Sequence, residues 1–528
     1  MIYVVGSGPS GVSCALALVQ KGHDVTMLDA GIELEPERQR VVNELSRQEF
    51  QNWDRRTVDQ LKINTDSGVG GIPMKYSYGS NFPFQKIDEF VPVSAQNVDC
   101  LPTLARAGFS NIWGANILPY RAEDIQDWPV TVKELAPHYQ AVFEFMDLAA
   151  SEDDLAPLLP LYTKRFQTLE DCAQTKSFLS DLNRSKGNLN SHGIQFGHSR
   201  LAVRALTNSH GSGCVYCGLC MYGCPYGLIY NSSSSLELLK TKRNFHYQKD
   251  AVVEKLTESG TGVSISARST MNQSKMNFQA SRVYLACGPL STTRILLESM
   301  EQYDISLTLK DSQYFLLPML RYQGAASVEN ERLHTLSQVY LELLDQDLGE
   351  HLVHLQFYMY NDLYLKAIRK ITGPAYSVVS GLVKSLMGRL LVIQGYLHSK
   401  YSSTISVSLE RGGKRRLKLS ANSNPKTNAM IRKIAQKLFQ NRSYLKMVPL
   451  TMLLQTAKAG RGYHTGGSFP MSAQPSQFES DRWGRPHGFK LVHAVDSTVF
   501  PSIPATTITL TSMANAHRIA SELDQYGR

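Results

Sequence analysis

The chain opens with a short apolar run, "IYVV" at residues 2 to 5. It breaks at "GSGPSG" and resumes with apolar positions at helical spacing in "SGVSCALALVQKG". The next apolar stretch, "DVTMLDAG", alternates as a strand and ends at Asp29. The pattern predicts strand, turn, helix and second strand, with the helix closing near Gly22. From 30 to 105 no period stands out, and the segment reads as polar and loop-rich. A β-rich stretch follows at 245 to 297: "VVEKLTESGTGVSISA", then "ASRVYLACGPLSTTRILLES", the latter a buried strand, a Gly-Pro turn and a helix. Residues 300 to 450 mix strand patterns such as "HLVHLQFYMY" and "YSSTISVSLE" with helical ones. No internal repeat or low-complexity tract interrupts them. This is an α/β chain, α+β overall, with a Rossmann-type domain and a second domain of sheet plus helices.

The first turn carries Gly6, Gly8 and Gly11. In this setting they permit a tight turn, close approach of backbone to a pyrophosphate, and close packing of helix on strand. The helix N-terminus offers unpaired N–H groups to phosphate. Asp29 stands where a carboxylate holds ribose hydroxyls. Strand, turn, helix and acidic strand end are all in register, so the reading is a dinucleotide site for FAD or NAD.

Length and composition change this picture little: 528 residues, 42% hydrophobic and 19% charged, allow two or three packed units. No window of eighteen uncharged apolar residues occurs, which predicts no membrane-spanning helix. The N-terminus is already strand and carries no leader pattern, so a cytoplasmic setting is expected. Charge is more informative. The net charge is +9, and residues 361 to 420 alone supply it, with eleven Lys or Arg against Asp362 and Glu410. Within this segment lies the apolar stretch "YSVVSGLVKSLMGRLLVIQGYL". Two readings stand: a peripheral surface for anionic lipid at the inner face of a membrane, or a core helix followed by a solvated basic hairpin, "LERGGKRRLKL". Nucleic acid is excluded as a partner, since no aromatic residues are interleaved with the basic ones as stacking platforms.

Both ends of the chain and several internal blocks carry a further signal. "GYHTGGSFPM" and "DRWGRPHGFKLVHAVDSTVFPSIPATTITLTSMANAHRIA" lie near the C-terminus. "AGFSNIWGANILPY" (107 to 120) and "DWPVTVKELAPHY" (127 to 139) follow the first domain half. Together with the opening turn, these blocks resemble the glucose–methanol–choline family of flavin oxidoreductases, nearest its sugar and polyol dehydrogenase branch. The resemblance implies an FAD domain assembled from 1–125, 201–299 and 451–528, a cap segment at 126–200 and a substrate domain at 300–450. It implies that His464 is the active-site histidine beside the flavin and that Thr507 occupies the second active-site position, where most relatives have His or Asn. It further implies that Asp496 braces the FAD, that the backbone at Val253 meets the adenine, and that Ser110 and Trp113 belong to the segment beside the flavin. Ile112 stands where some relatives carry a histidine bonded to FAD, which implies non-covalent FAD. The glycine pair after His464 is expected to let a flavin ring approach. His493 and His517 read as structural.

Eight cysteines are present, and four have regular spacing: Cys214, Cys217, Cys220 and Cys224, in C-x2-C-x2-C-x3-C followed by Pro225. That spacing is a ferredoxin run and points to an iron–sulfur cluster. Structural zinc and unliganded thiols are the alternatives. A branch of the FAD-dependent sugar dehydrogenases is similar at this block and has an iron–sulfur centre. The expected function is oxidation of a CH–OH group on a sugar, polyol or lipid-linked alcohol by hydride transfer to FAD. Electrons would leave through the cluster to a protein or quinone acceptor. The rival readings are an oxygen-reducing alcohol oxidase with a structural metal site, and a non-catalytic flavin electron-transfer subunit.

Overall fold

The computed structural model describes residues 1–63, 75–206, 212–373 and 376–523, without the side chains at 367, 368, 370–372 and 376–379. The opening pattern folds as expected. Strand Ile2–Val5 leads into helix Pro9–Gln20 and strand Val25–Leu28. These strands belong to a parallel five-stranded sheet ordered Val492–Ala494, Arg282–Leu285, Ile2–Val5, Val25–Leu28, Phe245–Gln248. Every residue of strands 2–5 and 25–28 is buried, because helices cover the sheet as parallel strands require. Segments from the start, middle and end of the chain are therefore neighbours in one sheet, and a three-stranded meander, 251–280, packs beside it.

The second large sheet is antiparallel and runs Met447–Pro449, Tyr314–Arg321, Leu390–Tyr396, Val353–Tyr358, Val339–Leu343, Ile194–His198. Its period-2 pattern sorts the side chains onto two faces. One face carries Phe315, Leu341, Leu355, Phe357 and Ile393, packed on helices Ala173–Arg184 and Pro425–Gln440 through Phe178, Leu182, Ile434 and Leu438. The other face is polar and still buried. Glu342, His354, Tyr396 and Tyr314 lie directly opposite one another across four strands. A third sheet joins Leu307–Asp311, Thr404–Leu409 and Leu417–Asn422 to Val93–Gln96 and Thr465–Gly466, tying the two halves together.

Two expectations change. The segment 30–105 contains helices Pro36–Ser46 and Arg55–Leu61. In the first only Val42 and Leu45 are buried, too few apolar positions to show a period. The basic segment 361–420 is not built around one continuous helix. Its apolar stretch divides between helix Tyr376–Arg389 and strand Leu390–Tyr396, and the strand is central to the antiparallel sheet. The basic hairpin lies apart, with Arg415 over the Tyr303 ring at 4.3 Å and paired to Glu298 at 3.3 Å. Residues 374 and 375 of the segment lie outside the described ones. No helix among the described residues is long and apolar enough to cross a membrane.

Phe357 is fully buried and packs on Phe178 with ring centroids 5.1 Å apart. Phe357→Ala should lower unfolding free energy by about 3–5 kcal/mol, measured by denaturant titration, through lost contact and the cavity left behind.

Candidate functional site

The first turn and the parallel sheet shape a long cleft. Gly6, Ser7, Gly8, Asp29, Val253, Gly288 and Asp496 line it, with Thr103 and Gly108 on the opposite wall. A Cβ on Gly11 would overlap the Gly6 carbonyl oxygen, so helix and turn pack at a distance only glycine allows. Gly8 differs: a Cβ there would meet no protein atom within 4 Å and would project into the cleft. What its missing side chain makes room for lies outside the chain. Helix Pro9–Gln20 begins at Gly8 with no side-chain cap and no acidic residue in its first turn. Helix Ile508–Ser521 begins uncapped as well, and its Ile508, Thr509 and Ser512 reach the same cleft. Two positive dipole ends thus face one space, as suits an anionic diphosphate.

Asp29 is held at the end of its strand by three donors. Ser7 Oγ and Tyr247 OH donate to its Oδ2 at 2.7 and 2.9 Å, and the Ser7 N–H donates to Oδ1 at 3.3 Å. Burial pushes its carboxyl up to about 6, against the pull of those hydrogen bonds and of Arg106. Asp496 is buried and saturated: it accepts from Gly288 N at 2.9 Å, Thr292 Oγ1 at 2.6 Å and Thr498 N at 2.9 Å. It fixes the start of helix Pro289–Ser299 to the C-terminal segment, and burial raises its carboxyl. Val253 lies in strand Ala251–Ser259 beside a register shift to Lys255.

Ser110 and Trp113 do not reach the cleft. Ser110 Oγ donates to Ala107 O at 2.6 Å and accepts from Ser232 N at 3.0 Å, while Trp113 Nε1 donates to Tyr230 O at 2.9 Å. Both hold the cleft wall from behind. Gly108 and Phe109, earlier in the same segment, line the cleft instead.

His464 is flanked by two cleft residues, Tyr463 and Thr465. Tyr463 has φ +54°, a left-handed conformation uncommon outside glycine, and packs on Phe109 with centroids 4.7 Å apart. The imidazole stacks on Tyr396 at 4.8 Å. Its Nδ1 is buried with no hydrogen-bond partner. Burial, then the nearby His354, lowers its pKa to about 3, so the ring is neutral near pH 7. The expected role of the following glycine pair changes. A Cβ on Gly466 would overlap the Ser497 carbonyl oxygen, so this glycine lets the His464 block dock on 497–500. Thr507 is the N-cap residue of the last helix, and its Oγ1 accepts from Leu118 N at 2.9 Å. Next to it, Thr506 Oγ1 is buried and unpartnered. His493 and His517 are tied elsewhere, to Trp483 O at 2.8 Å and to His138 at 2.9 Å.

Cys214, Cys217, Cys220 and Cys224 line one small apolar cavity, together with Leu169, Ile229, Leu336 and His334. None forms a disulfide. Burial raises the Cys214 thiol to about 12 and the Cys217 and Cys224 thiols as well. Among the described residues no three His, Cys, Asp or Glu side chains are grouped as a metal-holding set. The expected ligand set is thus not assembled among the described residues, although its four thiols share one wall. Two further groups face the cavity region. His334 Nδ1 is buried and unpartnered. Lys75 is lowered to about 8 by burial, opposed by Cys220 and Cys224. Neither had a motif to announce it. Nor did Tyr396, because "LLVIQGY" opens with four apolar residues in a row and its alternation appears only in burial.

Asp29 releases its proton near pH 6 in the fold and near the ordinary 3.8 when unfolded. Its stabilising contribution is therefore full below about 3.8 and lost as pH rises through about 6. Asp29→Asn should flatten this part of the pH dependence of Tm, measured by thermal melts of wild type and variant across that range.

Comparison with known proteins bears on the turn and the fold. A family model described as an NAD(P)-binding Rossmann-like domain matches residues 4–34. No curated protein matches the sequence. Among solved structures, pyridoxine 4-oxidase from Mesorbium loti superposes with a TM-score of 0.61 at 12% identity, covering 99% of both chains. A formate oxidase superposes at 0.60 and 14% identity, over 99% of this chain and 98% of the other. A formate oxidase from Aspergillus oryzae RIB40, carrying a mutation followed for its effect on FAD modification, gives 0.60 and 13% over the same shares. The chain has the fold of these oxidases, a Rossmann-type domain joined to a second, sheet-rich one, from end to end.

Proposed function

We propose that the chain binds FAD non-covalently and oxidises a CH–OH group, with His464 taking the hydroxyl proton. The observation that carries this reading is the state of His464: a neutral imidazole with a buried, unpartnered Nδ1, between two residues that line the cleft. FAD fits the donor set. Two uncapped helix N-termini and the gap at Gly8 suit its diphosphate, Asp29 suits the ribose, and the backbone around Val253 suits the adenine. Fold relatives with alcohol- and formate-oxidising names support the same class. A bound flavin supplies the two-electron hydride acceptor. The chain supplies the rest. Neutral His464 accepts the proton as the hydroxyl is oxidised. Thr507, its oxygen occupied by Leu118 N–H, keeps its own O–H as a donor. Tyr396 fixes the imidazole plane from below.

Where the electrons go has two supported readings. The oxidases that share the fold favour dioxygen as acceptor. The cysteine cavity favours an iron–sulfur cluster passing electrons to a partner protein or quinone. Four thiols at ferredoxin spacing share one wall, and the half-buried Lys75 ammonium, which donates to Trp113 O at 2.7 Å, would add positive charge near a thiolate-bound cluster. The cluster reading makes the protein a dehydrogenase, and the dioxygen reading makes it an oxidase.

His464→Ala should retain FAD, read by visible absorbance, and lose the rate of anaerobic flavin reduction by roughly two to four orders of magnitude. A near-normal rate would assign the proton to another group. Anaerobically purified protein should contain iron and acid-labile sulfide and form little peroxide in air. Zinc without sulfide, or peroxide matching the alcohol consumed, would favour the oxidase instead.

A further inference from the structure

From 419 to 478 the chain carries eight Lys or Arg and no Asp or Glu. Part of that charge is neutralised inside the fold: Lys437 pairs with Asp345, and Arg461 pairs with Asp99 at 3.3 Å. Arg432, Arg442 and Lys446 differ. All three are exposed, and among the described residues none pairs with a carboxylate. They border an apolar face that the described fold leaves uncovered. One flank of helix Pro425–Gln440 forms its first side, where Asn428, Arg432 and Phe439 follow one another at helical spacing. Thr456 Oγ1 donates to Asn428 Oδ1 at 3.4 Å, which lays the segment 450–456 beside that flank. Arg442 stacks over the Phe439 ring at 4.4 Å where the helix ends. The last strand of the antiparallel sheet, Met447–Pro449, then buries Met447 and Pro449 and turns Val448 outward.

The short turn Thr451–Leu453 closes the outline, with Met452 90% and Leu453 51% exposed. Ten large apolar side chains are exposed among the described residues, and Phe439, Met452 and Leu453 are three of them. A fourth, Tyr322, adjoins the same edge, since its N–H donates to Lys446 O at 2.9 Å. Apolar residues scattered singly over a surface need no explanation, but a gathered set marks a contact site.

We propose that this face docks the protein on an anionic lipid surface, with Met452 and Leu453 entering the headgroup layer and Arg432, Arg442 and Lys446 meeting the anionic headgroups. Charge selects the occupant. A second copy of the chain would set the same cations against one another, which their like charge opposes. An anionic bilayer matches both parts: apolar side chains at the tip of a turn enter the acyl boundary, and each neighbouring cation adds attraction. The face is distinct from the basic hairpin at 410–418, whose Arg415 is held by Tyr303 and Glu298. It also adjoins the candidate site. Gln455 and Thr456 pair with Leu316 and Phe315, in the strand that carries Tyr314. The proposal stands independently of the role of His464 and of the electron acceptor.

The test is co-sedimentation of the full chain with phosphatidylcholine vesicles, with and without phosphatidylserine. Binding should require phosphatidylserine and be lost at about 1 M salt, where the Debye length shrinks to roughly 3 Å. Lys446→Glu should weaken it at least about fivefold, the worth of one cation near an anionic leaflet. Met452→Ser combined with Leu453→Ser should weaken it roughly tenfold, through the apolar area no longer buried. All three side chains are exposed, so the thermal melts of these variants should match the wild type. Lys414→Glu combined with Arg416→Glu, in the hairpin, should leave binding unchanged. Absence of lipid binding, equal binding to both kinds of vesicle, or loss only in the hairpin variant would overturn the proposal. So would a dimer in solution that Met452→Ser and Leu453→Ser dissociate, which would give the face to a second copy.

Discussion

Everything else in the molecule depends on the clasp of two helices, Pro9–Gln20 from one end of the chain and Ile508–Ser521 from the other. Small residues let them close: Ser10 Oγ meets Ser512 Oγ at 2.7 Å, and Ser13 Oγ donates to Met513 O at 2.8 Å. Both helices start uncapped at the cleft. Two sets of unpaired N–H groups are thereby held together in a place the fold itself does not satisfy. Water or an anion in the cleft can complete that set. It also forces segments nearly five hundred residues apart to be in place before the cleft exists.

Burial governs the chemistry of the charged groups around this clasp. Asp29 and Asp496 are both raised by desolvation, although each accepts several hydrogen bonds. The two are held differently. Asp29 lines the open cleft and keeps a hydroxyl-rich environment, suited to sugar oxygens. Asp496 has spent its oxygens on Gly288, Thr292 and Thr498, and joins protein to protein more than protein to ligand. Burial also keeps His464 neutral. The same effect that makes a weak charge holder of the imidazole leaves its lone pair free.

The antiparallel sheet separates a dry core from a buried polar face by the simplest device available, its period of two. Phe315, Leu341, Leu355, Phe357 and Ile393 face the helices and form a dry core. Their neighbours in sequence face the other way and bring Glu342, His354, Tyr396 and Tyr314 under His464. A one-residue slip of register would exchange the two faces entirely, so packing of the apolar face specifies the polar one.

The local elements were legible in the chain alone: the strand–turn–helix at 2–20, Asp29 at the second strand's end, and the His464 block. Local signals of that kind arise from spacing, since a glycine turn needs its glycines whatever packs around it. Tertiary structure decided the remainder. Ser110 and Trp113 stand in the expected segment, yet turn away to Ala107 and Tyr230, because a hydrogen-bond partner is chosen in space. The four cysteines have the spacing of cluster ligands, but that they line one apolar cavity with Leu169, Ile229 and Leu336 is settled by the packing around them. Tyr314 and Tyr396 belong to no motif at all. The pairing of their two strands stacks them beneath His464, and convergence of that sort is written in register, which no stretch of sequence carries by itself.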